Sequence, residues 1–137
     1  MKRILVFFVI MLSSLVLIFG CNKQGNEDNL TEINAAEIDK IICAGSTGGK
    51  DGTFKYSMAE NEIDGFVKLL NQVNLGDEVD KNKVLSSGAV VYYTIQFTDD
   101  KTLEISPGKY FMIGETYYYF ENYNELWGEF IKFNSLR

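Results

Sequence analysis

The sequence predicts an α+β fold in two layers, in which two amphipathic helices cover an antiparallel sheet in the order β-β-α-β-β-β-β-α. Three observations support this prediction. Two segments repeat apolar residues every three or four positions, which is the period of a helix with one buried side. A segment between them alternates apolar and polar residues, as a half-buried strand does, and short turn sequences follow it at close intervals. Because each amphipathic helix needs an apolar surface to cover, an antiparallel sheet is the expected second layer.

Two strands are expected at the start of the domain, over residues 37–44 and 53–58, joined by a glycine-rich loop. The loop at residues 44–51 is close to a phosphate-binding P-loop, but Asp51 stands where that motif has a hydroxyl residue for Mg²⁺. A P-loop also opens a helix whose amides bind phosphate, whereas residues 53–58 alternate as a strand does. A hairpin loop is therefore the favoured interpretation.

The first helix is indicated by a single apolar stripe. Its members recur at intervals of three and four positions: Ile63, Phe66, Val67, Leu70 and Val73. Asn61 is its expected N-cap, and Gly76 lies just beyond its expected end. The acidic segment at residues 77–80 suggests calcium, but it lacks the glycine and the alternating oxygen ligands of an EF-hand loop. A solvated loop between the helix and the next strand is expected there.

A β-meander is expected after this loop. Four apolar residues of its first strand alternate and should face inward: Val91, Tyr93, Ile95 and Phe97. Three short turns then separate this strand from three others, at residues 99–100, 107–108 and 114–115. Proline fixes φ and glycine accepts positive φ, so these residue types favour tight turns and antiparallel neighbours.

The second helix is indicated by another stripe near the end of the chain: Tyr123, Leu126, Trp127, Phe130 and Ile131. Asn122 with Glu125 three residues later resembles a capping box. Phe66 of the first helix and Trp127 of the second are both expected in the core, facing the sheet. Cys43, in an apolar stretch of the first strand, is expected to be buried and inert.

Composition restricts the chemistry that this chain can perform. It contains no histidine, which removes the commonest general base and metal ligand and excludes triads that depend on histidine. We therefore expect no catalytic residues, no metal site and no cofactor. A hydrolase with paired carboxylates is the least favoured alternative, and Glu104 and Glu115 are its candidate residues.

The N-terminus has the order of a secretory signal. Lys2 and Arg3 are followed by the apolar residues 4–19, by Gly20 and by Cys21. This segment resembles the precursors of bacterial lipoproteins, and the resemblance implies that Cys21 is lipidated and becomes the first mature residue. An uncleaved membrane anchor is the alternative, although a spanning helix needs about 20 apolar residues. Either interpretation predicts attachment to the cell membrane, on its extracytoplasmic face.

The predicted organisation has three parts: a signal peptide at residues 1–20, the lipidated cysteine with a flexible tether at 21–29, and one α+β domain at 30–137. The chain has 13 basic and 19 acidic residues, and the signal removes two basic ones, which leaves 11 against 19 and a net charge of −8. Such a charge repels phosphate backbones, so nucleic acid is not expected as a partner. The whole pattern resembles the small lipoproteins of Gram-positive bacteria, a group that implies no catalytic residues.

Aromatic residues near the end of the meander suggest a second feature. If both helices cover one face of the sheet, the other face is expected to expose aromatics from several strands, and the expected set is Tyr92, Phe111, Tyr118 and Phe120. Packing within the sheet is the alternative explanation of these rings. The favoured function is a non-catalytic binding or interaction domain for an unknown protein or cell-wall ligand. The alternative is a module that contacts carbohydrate or peptidoglycan through an aromatic sheet face.

Overall fold

The structure is a computed structural model that describes residues 30, 33–48, 52–84 and 90–135. Within these ranges the strands are β1 (Ile38–Ser46), β2 (Thr53–Ser57), β3 (Leu75–Val79), β4 (Val90–Phe97), β5 (Thr102–Ser106), β6 (Tyr110–Ile113) and β7 (Thr116–Phe120). The helices are α1 (Glu60–Leu70) and α2 (Tyr123–Ser135). The predicted α+β fold, an antiparallel sheet with two helices, is confirmed.

The described strands form one seven-stranded sheet in the order β2-β1-β4-β5-β6-β7-β3. Every neighbouring pair is antiparallel. β3 is the strand that the sequence analysis did not predict, and the expectation of a solvated loop at residues 77–80 is wrong for Asp77 to Val79. β3 is a five-residue edge strand with the sequence LGDEV and an irregular register against β7. Backbone pairing with β7 therefore forms a strand that has almost no apolar periodicity of its own.

Both helices pack on one face of the sheet, which we call the inner face. Phe66 of α1 lies 4.5 Å from Tyr93 of β4, measured between ring centroids. Phe130 of α2 lies 6.2 Å from both Phe111 and Phe120, and 6.1 Å from Phe66. Phe66 and Tyr93 are fully buried, and Phe130 is 1% exposed. A continuous aromatic core therefore joins the helices to the sheet.

The predicted stripe of α1 is buried, but the helix is shorter than expected. All five stripe residues are buried, and Leu69 is buried beside them. α1 ends at Leu70, so Val73 lies beyond it, and Gly76 belongs to β3. The helix begins one residue before the predicted cap, because the carboxylate of Glu62 accepts a hydrogen bond from the backbone N–H of Ala59 at 3.0 Å. Ala59 is therefore the N-cap, and Asn61 lies inside the helix.

α2 departs from its prediction at three residues. Leu126 and Phe130 are buried, but Tyr123 and Trp127 are only half-buried and Ile131 is 42% exposed. The Trp127 ring stacks on Tyr123 at 5.3 Å, at the edge of the core, so the expectation of a core position is wrong for Trp127. The stripe is wider than the surface that the sheet offers to this helix.

The side chain of Asn122 links two turns. Its Oδ1 accepts a hydrogen bond from the backbone N–H of Asn74 at 2.9 Å, and its Nδ2 donates to the carbonyl of Gln72 at 2.8 Å. This side chain therefore connects the segment between α1 and β3 to the start of α2, whereas the sequence indicated a capping box within α2.

The predicted hairpin of β1 and β2 is present, with Ser46 opposite Thr53, and a strand follows the glycine-rich loop as expected. Gly45 makes close contact between strands possible, because a Cβ there would collide with the carbonyl oxygen of Val90 and lie 2.8 Å from the Phe54 ring. Cys43 is fully buried, which confirms the expected burial.

Leu30 is 2% exposed and belongs to the core. The predictions for residues 1–20, for Cys21 and for the tether at 21–29 lie outside the described residues. In the part of the chain that the structure describes, no helix combines the length and the apolar character needed to cross a membrane.

Candidate functional site

The sheet face opposite the helices, which we call the outer face, is defined by the strand register. Residues directly opposite each other in paired strands share a face, and successive residues alternate. Since Tyr93 lies on the inner face, Tyr92 lies on the outer one. The pairs Ser106–Met112, Met112–Tyr117 and Tyr117–Val79 continue this face to the β3 edge of the sheet.

Half of the eight tyrosines of the chain lie on the outer face, and we call this set the tyrosine face: Tyr92, Tyr110, Tyr117 and Tyr119. Tyr110 and Tyr119 are cross-strand neighbours whose rings meet edge to face at 5.6 Å. Tyr119 is 51% exposed and the other three are half-buried. Met112 and Val79, which lie on either side of Tyr117 in one cross-strand row, are each 5% exposed. This end of the outer face therefore carries aromatic rings on a packed apolar base.

The aromatic set expected from the sequence does not share one exposed face. Phe111 is fully buried and Phe120 is 4% exposed, both on the inner face. Tyr118 lies opposite Phe111 and packs against the same core. Of the expected set, only Tyr92 lies on the outer face, so the prediction of a shared face is wrong for the other three.

In β7, Tyr118 and Phe120 face inward, and the prediction had placed them on the outer face. The sequence shows that Tyr117 and Tyr119 oppose Tyr118 and Phe120, but not which pair meets the helices. The turn between β6 and β7 carries that signal, because it places Ile113 opposite Thr116 and therefore Phe111 opposite Tyr118. With Phe111 on the inner face, Tyr117 and Tyr119 must lie outside.

A second feature lies at the other end of β4 and β5. We call it the polar cleft: it has a volume of about 580 Å³ and is lined by Asp39, Gln96, Phe97, Thr98, Asp100, Lys101 and Thr102. Gln96 and Thr102 are cross-strand partners on the outer face. The cleft therefore opens at the end of the same surface that carries the tyrosines.

The backbone is irregular on both sides of the polar cleft. Ile38 pairs with Phe97 and Lys40 with Gln96, so Asp39 is an additional residue that forms a β-bulge. Asp100 closes the turn between β4 and β5 with a positive φ of 66°, a conformation that glycine adopts more easily. Bulges of this kind redirect side chains and are common beside functional sites.

Asp99 and Lys101 form an ion pair at the rim of the polar cleft, with 2.9 Å between Oδ2 and Nζ. The side-chain hydrogen bond from Lys101, followed by the backbone hydrogen bond from the same residue, holds the pKa of Asp99 below its ordinary value of 3.8. Both side chains are more than half exposed, so this pair shapes the turn and contributes little to stability.

The candidate carboxylates of the hydrolase alternative lie apart from the polar cleft. Glu104 is exposed on β5 and Glu115 is exposed in the turn between β6 and β7, and neither lines the cleft. Lys40, the one lysine whose position the sequence left ambiguous, is exposed on β1. Among the described residues, no group of three or more His, Cys, Asp or Glu side chains could hold a metal ion. The absence of a catalytic role stays a prediction.

Comparison of the chain with protein-family models, with curated proteins and with solved structures found no match.

Proposed function

We propose that this protein is a lipid-anchored, extracytoplasmic binding domain without a catalytic role, and that it contacts its ligand through the tyrosine face. The observation that carries the proposal is the arrangement of four tyrosines on the sheet face opposite the helices. A tyrosine presents an apolar ring with a hydrogen-bonding tip, and this combination makes tyrosine common at binding interfaces.

The N-terminal sequence supports the location. A cysteine after a basic start, an apolar run and a glycine is typical of a lipidation signal, and two or more acyl chains anchor a protein stably. Leu30 is already packed in the core. Because each residue extends at most about 3.6 Å, the nine steps from Cys21 to Leu30 would keep the domain within about 30 Å of the lipid.

Site-specific photo-crosslinking in native membranes tests the proposed contact surface. A benzophenone amino acid would be placed at Tyr119, the most exposed residue of the tyrosine face, in the full lipidated chain. The matched control carries the same group at Ile131, an exposed apolar residue of α2. We expect adducts from position 119 and none from position 131. Equal adducts from both positions, or none from 119, would contradict the proposal.

A further inference from the structure

The tyrosine face and the polar cleft are connected by a single strand. Tyr92, Thr94 and Gln96 follow one another on the outer face of β4, and Gln96 also lines the cleft. A strand advances about 3.3 Å per residue, so Tyr92 and Gln96 lie about 13 Å apart along it. A ligand that touched both features would have to be an extended chain lying along β4.

The β4 side chains Thr94 and Gln96 of this track are uncharged hydrogen-bonding groups, with Glu104 opposite Thr94 and Lys40 opposite Gln96 on the neighbouring strands. Thr94 and Gln96 are half-buried on β4, and Thr102 stands opposite Gln96 on β5. Hydroxyl and amide groups both donate and accept, so they match a ligand that itself carries hydroxyl or amide groups. At the end of the track, the carboxylates of Asp39 and Asp100 are acceptors for ligand hydroxyl groups, and charge-assisted bonds of this kind are the stronger ones.

The distribution of charge restricts the ligand further. The domain and its tether carry a net charge of −8, which opposes a polyanion. Lys40, Lys55 and Glu104 lie on the outer faces of β1, β2 and β5, and the bulged Asp39 of β1 lines the cleft beside them. Two positive and two negative charges leave this surface close to neutral. Most of the described carboxylates lie instead on the helices, turns and sheet edges. A nearly neutral surface in an acidic domain suits an uncharged ligand better than a charged one.

We propose that the outer face binds a linear, uncharged polysaccharide chain along β4. The apolar C–H face of a sugar ring would pack on Tyr92, the member of the tyrosine face on β4, and the hydroxyl groups of rings further along would bond to Thr94, Gln96 and the polar cleft. This inference rests on the proposed function, since it names the ligand class of the same surface.

The bulge at Asp39 and the positive φ of Asp100 fit this role. Both features belong to acidic residues that line the cleft. Glycine would adopt the φ of Asp100 at lower cost. An Asp100→Gly variant therefore removes the carboxylate from the cleft and also lowers the conformational cost of the turn, so lost binding can be told apart from lost stability.

Calorimetric titration of the full chain with oligosaccharides of increasing length tests the proposal. The probes are β-1,4-linked N-acetylglucosamine oligomers and β-1,4-linked glucose oligomers, each as a disaccharide and a hexasaccharide, with a sulfated dextran as the charged control. We expect the hexasaccharide of at least one series to bind about tenfold more tightly than its disaccharide, since only the longer chain spans the track. The sulfated dextran should bind less tightly than the hexasaccharide of that series.

Three variants locate the chain on the surface. Tyr92→Ala, which removes the tyrosine ring on β4 itself, should weaken binding of both lengths. Asp100→Gly should weaken only the hexasaccharide, while its melting temperature stays unchanged or rises. Ile131→Ala, on the exposed side of α2, should bind as the original protein does.

The results that would overturn the proposal are equally specific. They are failure of both oligosaccharide series to bind, affinity that does not depend on length, unaltered hexasaccharide binding by Asp100→Gly, or tighter binding of the sulfated polymer. If cross-linking from position 119 persists while neither series binds, the polysaccharide is excluded and the binding domain is retained. If cross-linking is also lost, both proposals fail.

Discussion

Truncation of Phe66 to alanine should destabilise the fold severely. The side chain is fully buried, and its ring centroid lies 4.5 Å from Tyr93, 5.3 Å from Phe133 and 6.1 Å from Phe130. Burial of such a side chain contributes about 1.5–3 kcal/mol, and each aromatic pair adds about 0.5–1.5 kcal/mol. With partial relaxation of the cavity, the expected loss is about 3–5 kcal/mol. This is a large part of the total stability of a small domain, which is about 5–15 kcal/mol.

Urea titration followed by circular dichroism measures this loss. With a slope of about 2 kcal/mol per molar, a loss of 4 kcal/mol lowers the midpoint by about 2 M. Ile131→Ala, at an exposed position of α2, is the control and should change stability by less than about 0.5 kcal/mol. A loss below about 1 kcal/mol for Phe66→Ala, at an unchanged slope, would refute the assignment of Phe66 to the centre of the core. Trp127→Ala should cost clearly less than Phe66→Ala, because Trp127 is half-buried.

Three further predictions address the sheet, the turn and the anchor. Gly45→Ala should cost about 1–3 kcal/mol in the same titration, because the new Cβ meets the first carbonyl of β4. The control Gly128→Ala should be neutral or stabilising, since its Cβ meets nothing within 4 Å; equal effects would contradict the close approach of β1 and β4. Lys101→Ala should raise the pKa of Asp99 towards 3.8 in an NMR titration. Because the pKa of Asp99 is lowered in the folded protein, its interaction with Lys101 stabilises the fold at pH values above 3.8. This stabilisation is lost as the pH falls through the lowered pKa. An unchanged pKa of Asp99 in the variant would contradict the stated cause. Cys21→Ser should abolish incorporation of a fatty-acid label, and normal labelling of that variant would disprove lipidation at this residue.

The local elements could be predicted from the sequence because their signals are local. The stripe of α1 places Ile63, Phe66 and Leu70 on one side of a helix whatever they pack against, and all three are buried. The turns at residues 99–100, 107–108 and 114–115 set the order of β4 to β7, since short turns between strands allow only antiparallel neighbours. The burial of Cys43 follows in the same way from its apolar surroundings in β1.

The features that decide the candidate site depend on contacts between distant segments. β3 exists because β7 offers it backbone partners, and its own sequence of glycine and acidic residues indicates a loop. The polar cleft joins Asp39 of β1 to the turn between β4 and β5, about 60 residues further along the chain. Asn122 was expected to cap α2, but the carbonyl of Gln72 and the N–H of Asn74 lie within its reach in the folded chain.

The sequence by itself therefore determined which residues alternate or recur, and with them the helices, the meander and the α+β class. Only the tertiary structure decided which of two alternating sets faces the helices. In β7, Tyr118 and Phe120 pack against the inner core, and Tyr117 and Tyr119 form part of the tyrosine face. A period of two specifies two faces but does not distinguish them when both carry aromatic rings. The register across β5, β6 and β7 makes that distinction, because it aligns Phe111 and Tyr118 with the face that α1 and α2 cover.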